Sequence, residues 1–410
     1  MAASQLRAAM LSVHSCPIGS LGAKDTGGMS VYIREIAREL GKQGHLVDVY
    51  TRSHNPKESQ IVNLGQNARL IHLKAGDEED IHKLAVYSYL PDFACNLEKF
   101  RKHNNLQYDL VFSHYWLSGC VGEYLGQWWN VPHITMFHTL GAVKNIIGIG
   151  EDEPVLRTET ERDLARNCHH IIATTEREKE QLILHYTASP ERISVIPCGV
   201  NLELFQPMDK EMAKRELGYG NDKIILFVGR IEPLKGIDQL LRAMTYLQNG
   251  QGLRLVIIGG DEHSQYEMER LQKLSQDLRI GDSVIFLGLM KHEKLPYFYS
   301  AADVCVIPSY YESFGLVALE SIACGTPVVA PDVGNLRNII HQGWTGYVVM
   351  DNAPHHLAEK IALLLSQPSP NMKSSLSIRE SVTRFSWSNI AQAIIQKCEL
   401  VLTNYFAQVH

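Results

Sequence analysis

The chain has 410 residues, 45% of them apolar and 20% charged, with a formal net charge of −6. That is enough chain and apolar surface for two or three folded domains, and it excludes a disordered polymer. The acidic balance excludes a general nucleic-acid binder, which needs a basic face, and no run of roughly eighteen uncharged apolar residues is present to span a bilayer.

Residues 8–13 read as a first strand, apolar nearly throughout and so buried on both faces. A loop at 19–29 follows, with Gly27 and Gly28 near its end, and residues 30–42 form an amphipathic helix that stops at Gly44. Glycines beside the positive end of a helix allow an anion to approach the backbone closely. A dinucleotide fingerprint would place G-x-G-x-x-G directly after the strand, and the spacing here does not match it. Further strands are expected at 46–50, 70–73, 110–112, 133–137 and 171–173, alternating with helical patterns. This rhythm implies a parallel sheet with helices on both faces. His14 and His138 each close an apolar strand, where such a sheet opens its ligand crevice. The pair Trp128 and Trp129, ahead of Asn130, reads as helix-end packing.

The turn-rich segment 196–207 marks a domain boundary. Beyond it a second series of strands is expected at 223–228, 253–258, 283–286, 303–307 and 327–330. The predicted domains are residues 1–196 and 197–387, each a Rossmann-like α/β unit, with the site in the cleft between them. The eight cysteines (Cys16, Cys95, Cys120, Cys168, Cys198, Cys305, Cys324 and Cys398) include no C-x-x-C pair and sit mostly in apolar runs. They read as reduced core residues of a cytoplasmic protein. The N-terminal apolar run is too short for a signal-peptide core, and no compact metal-binding pattern occurs.

In the second series, Val228-Gly-Arg-Ile-Glu-Pro-Leu-Lys235 sets Arg230 and Lys235 just past the end of its first strand. A guanidinium can fork two phosphate oxygens and an ammonium adds a point charge; no G-K-[ST] follows four spacers, so this is not a Walker A loop. Glu312 lies on the loop after the strand 303–307, and Glu320 about two turns into the next helix. Carboxylates accept from sugar hydroxyls, while the free amides around Phe314, Gly315 and Leu316 can hold a diphosphate.

The segment from Glu312 to Glu320 closely resembles the Glu-x7-Glu signature of the retaining nucleotide-sugar glycosyltransferases of family 4, which have the GT-B fold. The Gly27-Gly28 loop, the Gly-Arg-x4-Lys segment and His138 resemble that family's motifs as well, so the resemblance covers nearly the whole chain. It implies GT-B architecture: two Rossmann-like domains with parallel sheets facing a central cleft, and a final helix, here 388–410, crossing back onto the first domain. It assigns a catalytic environment to His138, Glu312, Arg230 and Lys235, the last two neutralising the leaving diphosphate. A UDP-sugar donor would be held by His14, Gly28, Arg230, Lys235, Glu312, the backbone of Phe314, Gly315 and Leu316, and by Glu320 at the ribose. With cations in these places no divalent ion or other cofactor is obligatory. The two carboxylates are not expected to copy a glycosidase pair; a front-face path, with the leaving phosphate taking the acceptor proton, is the family's favoured one.

Within the family the chain is most similar to the branch that glycosylates inositol phosphate, with the sucrose-phosphate synthases somewhat further off. The shared stretches are 27–33, 113–119, 138–145 and 312–320. The resemblance places the acceptor phosphate at Lys83, Tyr115, Thr139 and Arg157, with Asp25 in the glycine loop also on the acceptor. Ser30 stands where the inositol branch has Asn, a departure that bears on the polyol rather than on the phosphate. The expected activity is transfer of a hexose or N-acetylhexosamine from UDP-GlcNAc or UDP-glucose to a small phosphorylated polyol or sugar, inositol 3-phosphate first. Transfer to fructose 6-phosphate, a lipid-linked acceptor, and an epimerase of the UDP-GlcNAc type remain alternatives. Partners are small molecules, not nucleic acid, and a homodimer is left open.

Overall fold

The computed structural model describes residues 5–19, 26–79, 81–247, 252–261, 264–368 and 371–409. The first half builds one sheet from eight strands: β1 Arg7–Leu11, β2 Leu46–Arg52, β3 Ile61–Gly65, β4 Ala68–Leu73, β5 Leu110–His114, β6 His133–Met136, β7 His170–Ala173 and β8 Ile193–Val195. Their spatial order is β3-β4-β2-β1-β5-β6-β7-β8. All neighbours are parallel except β3, which runs antiparallel to β4 at the edge. The second half builds a six-stranded parallel sheet from β9 Lys223–Val228, β10 Leu253–Ile258, β11 Val284–Gly288, β12 Val304–Val306, β13 Val328–Pro331 and β14 Gly346–Val349, in the order β11-β10-β9-β12-β13-β14.

Both sheets reverse direction next to their first strand, between β1 and β5 and between β9 and β12. Outside the carboxyl ends of strands at such a switch, flanking loops part and leave a crevice. The loops after β1, β5 and β6 in one domain and after β9 and β12 in the other therefore define where a ligand can enter. The central strands carry continuous apolar runs, Ala9, Met10 and Leu11 in β1 and Ile225, Leu226 and Phe227 in β9, buried on both faces.

The helix Gly28–Lys42 presents Val31, Ile33, Ile36 and Leu40 to the first core. The last helix, Trp387–Val409, packs along it, and Gln43 Nε2 donates to the Ser388 carbonyl at 3.1 Å. Trp387 meets the Tyr32 ring edge-on at 5.5 Å. The segment that carries the chain out of the first sheet lies beside this point, with Val200 N donating to Phe385 O at 2.8 Å.

Several local expectations need correction. Strands β3, β8 and β14 were not anticipated: β3 is a half-exposed edge strand and β8 has only three residues, so neither gives a long apolar run. The helix bearing Glu320 spans Leu316–Ala323, so Glu320 lies one turn in rather than two. Of the tryptophan pair, Trp129 packs and donates to Glu98 at 2.8 Å, whereas Trp128 is 52% exposed. All eight cysteines are free and six are buried, but Cys95 is exposed.

Candidate active site

Between the two sheets lies a cavity of ≈ 360 Å³, and every candidate residue except Asp25 lines it. Asp25 lies outside the described residues. Five cations (Lys83, Lys144, Arg157, Arg230 and Lys235) and three carboxylates (Glu232, Glu312 and Glu320) face the cavity among the described residues. An excess of positive charge on partly desolvated walls favours an anionic ligand.

On the first-domain side, His14 follows β1, and its ring lies 4.4 Å from that of Tyr115. Burial, reinforced by Lys83 and Arg157, lowers its pKa to about 3, so the ring is neutral. Gly28 opens the first helix, and a Cβ there would sit 3.2 Å from Leu316 Cδ1 of the other domain. The absence of a side chain lets the two domains approach at this point. Ser30 is fully buried, shares a 2.8 Å hydrogen bond with Ser15 and does not reach the cavity. Its departure from the family pattern thus bears on the loop after β1, not on direct contact with an acceptor.

Tyr115 and His138 follow β5 and β6 and hold φ values of 74° and 62°. Bulky residues in the left-handed region cost about 1–3 kcal/mol each and cluster at functional sites. His138 Nε2 lies 3.0 Å from Nδ1 of His114, a fully buried residue behind it. Burial lowers the pKa of His138 to about 3 and pushes that of His114 well below the usual range. His138 is therefore a neutral hydrogen-bonding group and not an imidazolium acid.

The acceptor candidates converge on a buried ion network. Arg157 is 1% exposed and lies over the Tyr115 ring at 4.8 Å. Its Nε donates to Glu161 at 2.7 Å, one terminal nitrogen meets Glu153 at 2.8 Å, and the other donates to the Thr139 carbonyl at 2.9 Å and hydroxyl at 3.0 Å. Lys144 also bonds Glu153, and Lys83 lies 3.7 Å from it. Burial disfavours a charge on Glu153, but Arg157, Lys144 and Lys83 outweigh this and hold its pKa at about 2. Neither Glu153 nor Lys144 is flagged by the sequence as a functional residue; three cations from three segments meet one carboxylate only in the fold.

On the second-domain side, Lys235 Nζ donates to Glu312 Oε1 at 2.6 Å, and Ser309 Oγ donates to the same oxygen at 2.7 Å. Arg230 pairs with Glu232 at 2.9 Å. Both cations stay at the crevice because each is held by a neighbouring acid. Glu320 is 7% exposed. His292 Nε2 donates to its Oε1 at 3.0 Å and Tyr299 OH to its Oε2 at 2.8 Å, leaving acceptor capacity on a fixed carboxylate. His292 and Tyr299 carry no motif and were not foreseen. The Phe314 ring is buried against Phe385, so its backbone is what it can offer the cavity. Gly315, with φ 112°, starts the next helix without a side-chain cap.

Each half of the chain matches a known family. Residues 26–204 match the family model for Glycosyltransferase Family 4, and residues 208–381 that for Glycosyl transferases group 1. A D-inositol 3-phosphate glycosyltransferase of Corynebacterium glutamicum (strain R) is 37% identical over 395 residues, 94% of each chain. One of Acidothermus cellulolyticus is 39% identical, over 95% of this chain and 89% of that one. The solved sucrose-phosphate synthase of Thermosynechococcus elongatus is 32% identical with a TM-score of 0.89, covering 98% of this chain and all (100%) of that one. The Anabaena protein HepE in complex with UDP and glucose shares the fold, with a TM-score of 0.76 over 96% of this chain and 100% of that one at 18% identity.

Proposed function

The chain belongs to the family 4 glycosyltransferases, and from that premise we propose that it moves a hexose or N-acetylhexosamine from a UDP-sugar, with retention, to a small phosphorylated polyol or sugar. Inositol 3-phosphate is the first candidate acceptor. The observation that carries this reading is the convergence of Lys83, Tyr115, Thr139 and Arg157 on one wall of the cavity that Arg230, Lys235 and Glu320 line from the other domain. The first set suits a phosphate monoester, the second a nucleoside diphosphate, and the relatives named D-inositol 3-phosphate glycosyltransferase support the acceptor.

In this reading Arg230 and Lys235 stabilise the charge that grows on the leaving diphosphate, with the amides at the start of the helix Leu316–Ala323. Glu320, oriented by Tyr299 and His292, accepts from the ribose hydroxyls. Neutral His138 hydrogen-bonds a hydroxyl beside the reacting carbon. Glu312, tied to Lys235 and Ser309, sits near the hexose as a fixed acceptor and not as a free nucleophile. The leaving phosphate takes the acceptor proton, and two cations in fixed places make an obligatory divalent ion unnecessary.

A second reading, transfer to fructose 6-phosphate, is favoured by the likeness to sucrose-phosphate synthase at 32% identity. One assay separates them: UDP release from UDP-GlcNAc and UDP-glucose, with EDTA present, against inositol 3-phosphate, fructose 6-phosphate and no acceptor. Release only with inositol phosphate supports the first reading, and release only with fructose phosphate replaces it. Absence of UDP binding refutes both.

A further inference from the structure

Only the outer member of the histidine pair lines the cavity; His114 is fully buried behind it at the end of β5. Their 3.0 Å contact joins His114 Nδ1 to His138 Nε2, so one of these nitrogens carries the proton and the other accepts it. The rings have little freedom to rearrange. Tyr32 meets both edge-on, at 5.7 and 5.3 Å, and the Phe112 ring lies 4.4 Å from His114.

The far nitrogen of His114 breaks the tie. His114 Nε2 is buried and has no hydrogen-bond partner. If it carried a proton, a buried N–H would face aromatic rings with no acceptor, the rarer and costlier arrangement. If it is bare, His114 carries its proton on Nδ1 and donates to His138 Nε2. His138 is then protonated at Nδ1 alone. Burial keeps both rings neutral, so no second proton blurs the choice.

We propose that His114 is a positioning residue that fixes His138 as its Nδ1–H tautomer, so that the cavity-lining ring offers a single N–H donor of fixed direction to a substrate hydroxyl. The tautomer and the pairing stand on geometry alone; the identity of the hydroxyl rests on the transferase reading. A buried partner that sets a ring's tautomer acts on rate and not on donor affinity, as the partners of catalytic histidines do.

The test is long-range ¹H–¹⁵N NMR of ¹⁵N-histidine-labelled full-length protein, with His138→Gln used to assign the His138 signals. The expected pattern for His138 is Nδ1–H in the wild type, lost or mixed in His114→Phe. His114→Asn places an amide nitrogen where Nδ1 stood and is expected to retain the pattern, whereas His114→Gln, whose amide reaches toward Nε2, is not. In the UDP-release assay kcat falls roughly 10- to 100-fold in the Phe and Gln variants and much less in Asn, with UDP affinity unchanged throughout. An Nε2–H signal on wild-type His138, or the same tautomer in wild type and His114→Phe, overturns the proposal. If His114→Phe does not fold, the contrast between Asn and Gln decides it. Absence of UDP-sugar turnover in the wild type would refute the transferase reading, and the NMR arm would still decide the pairing.

Discussion

Replacing Arg157 with methionine, a side chain of similar length, removes a cation from the most buried charge cluster among the described residues. Arg157 is 1% exposed, and its partners Glu153 and Glu161 are 4% and 0% exposed. Removing one member of a buried ion network leaves the other charges uncompensated, at about 3–5 kcal/mol. Two features favour the lower end. Glu153 keeps Lys144 and Lys83, and Glu161 Oε2 keeps the Gly141 N–H and the Tyr186 hydroxyl. For a domain of about 200 residues each kcal/mol moves the midpoint about 2–4 °C, so the expected fall is roughly 6–15 °C. Calorimetry of Arg157→Met, Glu161→Gln and the double variant measures it. The double variant should recover part of the loss, because neutralising Glu161 removes one of the stranded charges. UDP affinity should be unchanged, since Arg230, Lys235 and Glu320 lie in the other domain. A fall below about 2 °C, a strictly additive double variant, or loss of UDP binding in step with stability would refute this account.

Other outcomes follow from the same geometry. Tyr299→Phe takes a buried hydroxyl from Glu320 and should weaken UDP binding about 3- to 10-fold by calorimetric titration, a hydrogen bond to a charged group contributing about 1.5–3 kcal/mol at most. Gly28→Val puts a branched side chain against Leu316 across the cleft; the KM for the donor should rise at least about tenfold, with the melting temperature little changed. His138 is held at about 3, so kcat against pH should show no ionisation near 6.5 that vanishes in His138→Gln. Glu153 is held at about 2, below its ordinary 4.5. Its stabilisation is complete above about 4.5 and lost as pH falls toward about 2. The melting temperature of the wild type should therefore drop through that window more steeply than that of Glu153→Gln.

The sequence reveals most where chemistry is local. Apolar β-branched runs place the central strands, because a strand covered on both faces has no room for polar residues. The loop-borne candidates Arg230, Lys235 and Glu312 are legible because each follows such a run closely. What is hidden arises from distance along the chain. Glu153, Lys144 and Lys83 come from separate segments, and nothing in any one of them signals the shared carboxylate. His292 and Tyr299 support Glu320 from 28 and 21 residues away. His114 stands beside Tyr115 inside a motif that draws attention to its neighbour. The left-handed conformations of Tyr115 and His138 have no glycine to announce them. Strand β3 fails for the opposite reason: as an exposed edge it needs no apolar pattern.

The two passages of the chain between the sheets run side by side, bridged at Val200 and Ser386. A Cβ on Gly199 would lie 2.5 Å from the Trp387 indole, so the passages touch almost backbone to ring. Two parallel tethers at one edge act as a door hinge does: they permit swinging about their common line and resist sliding or twisting of one domain across the other. The domains also meet outside the tethers: Arg177 donates to the Asp332 carbonyl at 2.9 Å, and Arg34 lies 3.5 Å from His292. Cutting the chain before Trp387 would remove one tether together with the helix that anchors it, leaving a single swivel in place of a hinge.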